Sequence, residues 1–401
     1  MIYKPREDSK LLEHYVRQYA KGSVLDIGTG SGIQAIAASK NKKVNSVLAL
    51  DIQKDTIEHC KKNIVNKKIK FIISDLFEIF NNKLKNKKWD TIIFNPPYLP
   101  EDIKVKDLTL DGGKKGYEVL ERFLNEVNNY LKKDGIVLII FSSLTKKDKI
   151  DEFIEKNLLE FELLKKKHIF FEDLYVYLIK KSQILKKLEN KKIENIRYFT
   201  KGKRGFIFIG YNAGKSKISG TNFVGNKKIA IKIKNPKSKA ISRVENEIKY
   251  LKLLNKKSIG PKLLFYDKDF LAYEFIEGIF FLDYIKNNNR KSIIKIIKDI
   301  FSQLFILDKL NINKEEMSHP DKHILIDKNN FPILIDFERA HYAVKPGNVT
   351  QFCDYLMSKT INSLLENNKI EINNKKIIEK AKQYKKKQGK ENFNKIIREI
   401  K

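Results

Sequence analysis

Asn95-Pro96-Pro97-Tyr98 follows directly on a short apolar run, Thr91-Ile92-Ile93-Phe94. The run reads as a buried strand. Two prolines, which cannot donate to a sheet ladder, end it abruptly. The strand end therefore presents an amide, two rigid rings and an aromatic face. Nearer the start, VLDIGTGSG (24–32) closes another strand and opens a helix. Gly28, Gly30 and Gly32 let main chain come close to a ligand at the carboxyl end of a sheet, where open α/β folds bind. The spacing is G-x-G-x-G, unlike the G-x-G-x-x-G of dinucleotide sites. Asp26 precedes these glycines. Asp51 ends the second strand, placed to accept two ribose hydroxyl bonds, and Asp75 ends the third, within reach of an adenine amino group. One acid at a strand end is ordinary; three at successive strand ends beside the glycines form a constellation.

These residues need a sheet to position them, and the pattern supplies one. Over 22–180, strand-like runs (23–28, 46–51, 69–75, 90–95, 135–143) alternate with helical stretches such as 31–40, 54–65 and 116–133. In the last of these Val119, Leu120, Phe123, Leu124, Val127 and Leu131 form a helical stripe. FELLKKKH and LYVYLIKK add two strands. Such alternation predicts an α/β fold with a mostly parallel sheet covered on both faces. Residues 184–195 are charged and weakly patterned and are expected to link two domains, 1–183 and 196–401. The second half opens with strand-rich runs. It continues through a helix near 243–257, a strand pair around an Asp/Lys turn, a long amphipathic helix at 290–310 and a helical tail.

Composition narrows the class. The chain has 401 residues, 42% of them hydrophobic, enough to bury real cores in two or three domains. No apolar run reaches the roughly 18 residues of a membrane span, and no signal-peptide core opens the chain. The only cysteines, Cys60 and Cys353, offer neither a disulfide framework nor metal spacing, so the expectation is a cytoplasmic protein. The formal charge is +32, from 81 basic and 49 acidic residues. It has two readings: a surface that meets RNA or the ribosome, or the bias of a Lys-, Ile- and Asn-rich coding sequence.

LDIGTGSG together with NPPY resembles the class I S-adenosylmethionine-dependent methyltransferases, over about residues 1–180. The resemblance implies a Rossmann-like, mostly parallel seven-stranded sheet. It implies S-adenosylmethionine held by Asp26, Gly28, Gly30, Gly32, Asp51 and Asp75, and methylation of a planar amino nitrogen at Asn95, Pro96, Pro97 and Tyr98. Such a nitrogen is a poor nucleophile because its lone pair is delocalised. The Asn95 side-chain oxygen and the Pro96 carbonyl can accept its two N–H bonds, and Tyr98 offers a flat face. YKPREDSKLL (3–12), DGGKKGYEVLERFL (111–124) and SSLT (142–145) resemble the archaeal and eukaryotic HemK/PrmC-like branch. That implies the glutamine amide of the Gly-Gly-Gln tip of a peptide-chain release factor as acceptor, with a small zinc-binding activator as partner. The alternative acceptor is a base amino group in RNA or DNA.

The second half, over 196–360, resembles small archaeal serine/threonine kinases related to the RIO group. SIGPKLLFYDKDFLAYEFIEG, PDKHILID, LIDFERA and GNVTQF carry the likeness. It implies a two-lobed α+β kinase-like domain binding ATP and Mg²⁺, with a glycine turn at Gly202 and Gly205. Lys232 would hold phosphates, paired by Glu247 with Glu245 as the other choice; Asp336 would hold metal. The chain departs from the pattern in having no H-R-D-x-x-x-x-N, and Asp-Phe-Gly is Asp336-Phe337-Glu338. His323 stands at the usual Asn position, either as a metal ligand or as a structural donor. Glu316 is the implied base, with Asp321 its rival. A nucleotide-binding module without phosphoryl transfer is the other reading of this half.

Overall fold

The structure is a computed structural model that describes residues 4–82, 87–100, 112–202, 205–212, 217–218, 221–222, 227–234 and 244–401. Tyr3 and Asp111, at the edges of two resemblance segments, and Lys203 and Arg204 inside the glycine turn lie outside them. The chain divides into two compact units, Met1–Tyr198 and Phe199–Lys401.

The first unit runs α1 (Glu7–Tyr19), β1 (Gly22–Ile27), α2 (Ile33–Ser39), β2 (Val44–Asp51), α3 (Lys54–Asn63), β3 (Ile69–Ile73), α4 (Glu78–Asn82), β4 (Trp89–Phe94), α5 (Glu118–Tyr130), β5 (Leu131–Ser142), α6 (Lys147–Lys156), β6 (Leu159–Ile169), β7 (Glu172–Lys181) and α7 (Gln183–Asn190). The sheet order is β3-β2-β1-β4-β5-β7-β6. The first five strands are parallel and β7 enters antiparallel between β5 and β6. Central strands covered on both faces are apolar throughout rather than alternating. Accordingly Ile92, Ile93 and Phe94 on β4 and Val24 and Leu25 on β1 are all buried. At about 1.5–3 kcal/mol for each large apolar side chain, these strands anchor the unit. Of the expected stripe, Leu120, Phe123, Leu124 and Val127 are buried on α5 and Val119 is half-buried, but Leu131 opens β5, so the helix ends earlier than its spacing predicts.

The expected linker is folded. Ser182 caps α7 by accepting the Leu185 N–H, and Leu185 and Leu188 turn inward. Buried Lys181 holds Glu189 at 2.5 Å. Two leucines three apart and an N-cap serine make a helix of a stretch whose charge suggests a tether.

β8 (Ile193–Lys201) runs through the division, and the second unit continues with β9 (Gly205–Asn212), β10 (Lys217–Ile218), β11 (Thr221–Asn222), β12 (Lys227–Lys234), α8 (Val244–Leu254), β13 (Leu263–Tyr266) and β14 (Phe270–Glu274). One five-stranded sheet has the order β13-β14-β12-β9-β8. A mainly helical part follows, with β15 (Gly278–Phe280), α9 (Phe281–Asn287), α10 (Arg290–Lys309), β16 (Ile312–Asn313), β17 (Ile324–Asp327), β18 (Pro332–Leu334), β19 (His341–Tyr342) and helices α11 to α14 between Asn348 and Ile397. Its core gathers Ile293, Ile297, Ile300 and Leu304 of α10 around Phe352 and Leu356. Among the described residues no helix is long and apolar enough to cross a membrane.

Candidate active site

At the carboxyl ends of β1 to β4 lies a cavity of about 250 Å³. The strand order reverses between β1 and β4, the switch point where open α/β sheets hold ligands. Gly28, Gly30, Asp51, Asp75, Asn95, Pro96, Pro97 and Tyr98 all line it. Four strand ends far apart in sequence thus meet, as the spacing leads one to expect.

Two expected residues do other work. Asp26 does not line the cavity; it is 1% exposed and its Oδ2 accepts the Thr29 Oγ1–H at 2.6 Å, bracing the glycine loop. Burial pushes its carboxyl up to about 7. Gly32 does not line it either. It has a φ of +80°, and a Cβ there would stand 2.5 Å from Ile64 Cδ1, so this glycine serves helix packing.

Asp51 is the loop's acceptor. Gly30 N–H donates to its Oδ2 at 2.9 Å and Gln53 N–H to its Oδ1 at 3.0 Å. Each oxygen keeps further acceptor capacity for a ligand hydroxyl. Burial raises its carboxyl above the ordinary value. The next residue, Ile52, is 54% exposed and lines the cavity, an apolar surface for a flat ring. Asp75 is held by Arg122 of α5 at 2.8 Å, and Leu76 after it lines the cavity in the left-handed region, φ 42°.

The Asn95 corner contains the residues that sequence reasoning missed. Asn95 Nδ2–H donates to Asp8 Oδ2 at 3.0 Å and to Ser9 Oγ at 3.4 Å. Its Oδ1 is buried without a hydrogen-bond partner. Asp8 and Ser9 sit in the first turn of α1, 4% and 1% exposed, and Gln34 Nε2–H donates to the Ser9 carbonyl at 2.9 Å. A signal was present: Asp8 stands on the same helical stripe as Leu12 and Val16, which are buried. The prolines' loop is held from behind by a glycine segment. Gly112 N–H donates to the Leu99 carbonyl at 2.8 Å, and a Cβ at Gly112 would fall 2.7 Å from the Pro97 carbonyl. Thr145 Oγ1–H donates to the Tyr98 carbonyl at 3.2 Å. Gly112 and Thr145 therefore brace the NPPY turn.

A cofactor made of a nucleoside joined to an amino-acid sulfonium fits this donor set. Asp51 and Asp75 are acceptors for its hydroxyls and amine, Ile52 is an apolar face, and the glycine loop is close-approach backbone. The orphaned Asn95 oxygen adds an acceptor beside the same cavity.

In the second unit, Lys232 of β12 stands among three acids. Its Nζ lies 2.7 Å from Glu247 Oε2 of α8, 3.0 Å from Asp336 Oδ1 and 3.0 Å from Glu338 Oε1. Burial works against the lysine's charge, but Glu247, Asp336 and Glu338 hold its pKa well above the ordinary value. Burial alone would raise Asp336, and Lys232 and Lys314 instead keep it well below the usual carboxylate range. Asp336 adopts φ 63°, a left-handed conformation uncommon outside glycine and typical of sites. Glu245, the other choice for helix partner, is exposed.

The remaining expected residues gather nearby. His323 Nδ1 is 4.0 Å from Asp336 Oδ2, and burial with the Lys314 charge lowers its pKa. Glu316 accepts from Lys314 Nζ at 3.0 Å; that lysine is fully buried and also donates to the Asp336 carbonyl. Asp321 accepts the Tyr355 hydroxyl at 2.7 Å. Gly202 N–H donates to the Gly205 carbonyl at 2.9 Å, closing the turn between β8 and β9. Lys314 and Glu338 are further residues of this cluster without a role in the sequence reading.

Comparison with known proteins bears on the first unit. Residues 7–171 match the family described as methyltransferase small domain. A Methanocaldococcus jannaschii protein named for N5-glutamine methyltransferase activity is 42% identical over 151 residues, 36% of this chain and 74% of that protein. A release factor glutamine methyltransferase of Bacillus cereus is 33% identical over 141 residues, 32% of this chain; the chain spans 49% of that relative's length. Among solved structures, the E. cuniculi Mtq2–Trm112 complex, described as responsible for methylation of the eRF1 translation termination factor, aligns with TM-score 0.37. The identity is 23%, over 45% of this chain and 99% of that one. With three quarters of the M. jannaschii relative covered, and a parallel sheet whose strand ends assemble one cavity, this chain belongs to the HemK/PrmC-like methyltransferase small-domain family and its first unit has the class I S-adenosylmethionine-dependent methyltransferase fold.

Proposed function

We propose that the first unit methylates the side-chain amide nitrogen of glutamine, at the Gly-Gly-Gln tip of a peptide-chain release factor. One observation carries this reading: Asn95 presents a buried acceptor oxygen without a partner at the cavity, while its NH₂ end is tied to Asp8. S-adenosylmethionine, when bound, supplies an activated methyl group. Asp51, Asp75 and the main chain at Gly28 and Gly30 would hold it. Asn95 Oδ1 accepts one N–H of the glutamine amide and the Pro96 carbonyl the other. That draws the nitrogen lone pair out of conjugation. Tyr98 lies against the planar group, and the braced prolines keep the acceptors convergent. The names of the M. jannaschii and B. cereus relatives support glutamine over other planar amines. The small zinc-binding activator and an RNA- or ribosome-facing basic surface are part of the same proposal. Mass spectrometry of a release factor incubated with the protein and S-adenosylmethionine, with and without such an activator, tests it. The expected product is methyl on the tip glutamine, lost when that glutamine is replaced by leucine. Methyl found only on the base amino groups of RNA or DNA would overturn the choice of acceptor.

The second unit, in the same reading, binds ATP with Mg²⁺. Lys232 engaging both Glu247 and Asp336 across 104 residues of sequence is the observation that favours it. Lys232 would hold phosphate, Asp336 the metal with His323 beside it, and Glu316 would serve as base if phosphoryl transfer occurs. The turn at Gly202 and Gly205 would cover the phosphates. Equilibrium binding of ATP with and without Mg²⁺ separates nucleotide binding from none. Labelled-phosphate transfer separates a kinase from a regulatory module.

A further inference from the structure

The two ends of an asparagine amide do opposite chemistry, and only one of them can accept a bond from an amine. A free side chain exchanges the ends by rotation. At Asn95 the choice is made by a residue on another element. Asp8 Oδ2 lies 3.0 Å from Asn95 Nδ2, and an ionised carboxylate only accepts hydrogen bonds. With the amide reversed, two oxygens would face each other at that separation. Ser9 Oγ at 3.4 Å is a second partner on the same side. The opposite atom, Oδ1, is left buried and unpartnered.

The carboxylate is itself fixed. Asp8 is 4% exposed and takes the Ser9 Oγ–H on its other oxygen at 3.3 Å. Gln34 of α2 bonds the Ser9 carbonyl, so the first turn of α1 is pinned to the helix that follows the glycine loop. A buried acid placed on the NH₂ of a half-buried amide does two things. It selects the rotamer, and it polarises the amide so that more electron density rests on Oδ1.

We propose that Asp8 is the positioning residue of the methyl-transfer site, holding Asn95 with its oxygen toward the acceptor amine. This rests on the amine-methylating reading of the cavity, and not on which amine is used. The test uses the full chain and whichever amine substrate the wild type methylates. Asp8→Ala removes the acceptor that holds the Asn95 NH₂ and should lower kcat by roughly 10- to 100-fold, the scale of a misoriented polar group. The KM for S-adenosylmethionine should stay within about threefold, since Asp51 and the glycine loop are untouched. Asn95→Asp alone faces Asp8 with a second carboxylate and should be nearly inactive. The double variant Asp8→Asn/Asn95→Asp restores a donor on α1 and an acceptor after β4, and should recover at least about tenfold over Asn95→Asp. A merely structural role predicts no such rescue. A readout free of turnover accompanies it: the Asn95 side-chain NH₂ resonances, assigned by Asn95→Ala, should shift and exchange faster in Asp8→Ala. Full kcat in Asp8→Ala, a double variant no better than Asn95→Asp while it still melts and binds cofactor like wild type, or unmoved NH₂ resonances would each overturn the proposal. Methylation of a base and not of glutamine would sink the choice of substrate and leave these comparisons standing.

Discussion

Asn95, half-buried just past the end of β4, and Lys232, buried on β12, both carry polar atoms inward, yet their surroundings are opposite. Asn95 has its donor end satisfied by Asp8 and keeps an acceptor oxygen without a partner, beside a cavity. Lys232 has its charge more than balanced: three carboxylates lie within 3.0 Å of one ammonium. An unpartnered buried acceptor costs free energy unless something donates to it, so the first arrangement fits the amine site proposed above. The second is already neutralised from within. A phosphate approaching Lys232 must compete with Glu338, the residue standing where the kinase pattern has glycine.

Four changes sharpen or break this comparison. The largest effect is expected from Lys232→Met. Glu247 and Glu338 are buried and would face Asp336 with no cation between them. Removing one partner of a buried charge cluster destabilises by about 3–5 kcal/mol. Hydrogen exchange at β12 and α8 should show that loss, with the β1–β4 amides unchanged. Unaltered protection at β12 would mean that the cluster is not structural.

Next comes Asn95→Ala. It removes the vacant acceptor and should lower methyl transfer by about 10²–10³-fold. Binding of S-adenosylmethionine, followed by calorimetry, should stay close to wild type. Loss of cofactor binding instead would place Asn95 in the cofactor's site.

The third is a pH effect at Asp26, whose carboxyl is raised from 3.8 to about 7 by burial. Because the folded value lies above the unfolded one, the group's contribution to stability is full below pH 3.8 and is lost as pH rises through about 7. Asp26→Asn keeps an oxygen for Thr29 and cannot ionise. Its stability relative to wild type should therefore rise between about pH 5 and 7 and level off above, by on the order of 3 kcal/mol over that window. Denaturant melts at several pH values check this; a difference that does not grow with pH would refute it.

The smallest is Glu338→Gly. It frees Lys232 of one acid and should tighten ATP binding by about tenfold, the ~1.4 kcal/mol of one charge-assisted contact. Weaker binding would show that Glu338 assists the nucleotide, for example through metal.

Much of the fold was legible because it is local. The β4 run reads as a buried strand from four successive apolar-rich residues, and the α5 stripe from its helical spacing. The glycine loop and the strand-end acids were legible for the same reason, since all stand at fixed offsets from strands. What misled was charge. Residues 184–195 look like a tether because lysines outnumber leucines, but Leu185 and Leu188 with the Ser182 cap suffice to fold them. Asp26 and Gly32 looked like ligand contacts because they flank the loop. One side chain instead turns to Thr29, and the other position is filled by Ile64.

By itself the sequence determined the strand–helix alternation, the turn at Asn95 and the candidate residues, because side-chain periodicity and proline or glycine chemistry act over a few residues. Only the tertiary structure decided which of those residues face each other. That α1 returns to set Asp8 against Asn95, 87 residues on, follows from helix packing against α2 and not from any local preference. That Glu338 joins Glu247 and Asp336 on one lysine follows from α8 and the segment after β18 converging on β12. Hydrogen bonds and ion pairs between remote segments are short-ranged and directional. Their partners are therefore fixed by topology, which no local pattern encodes.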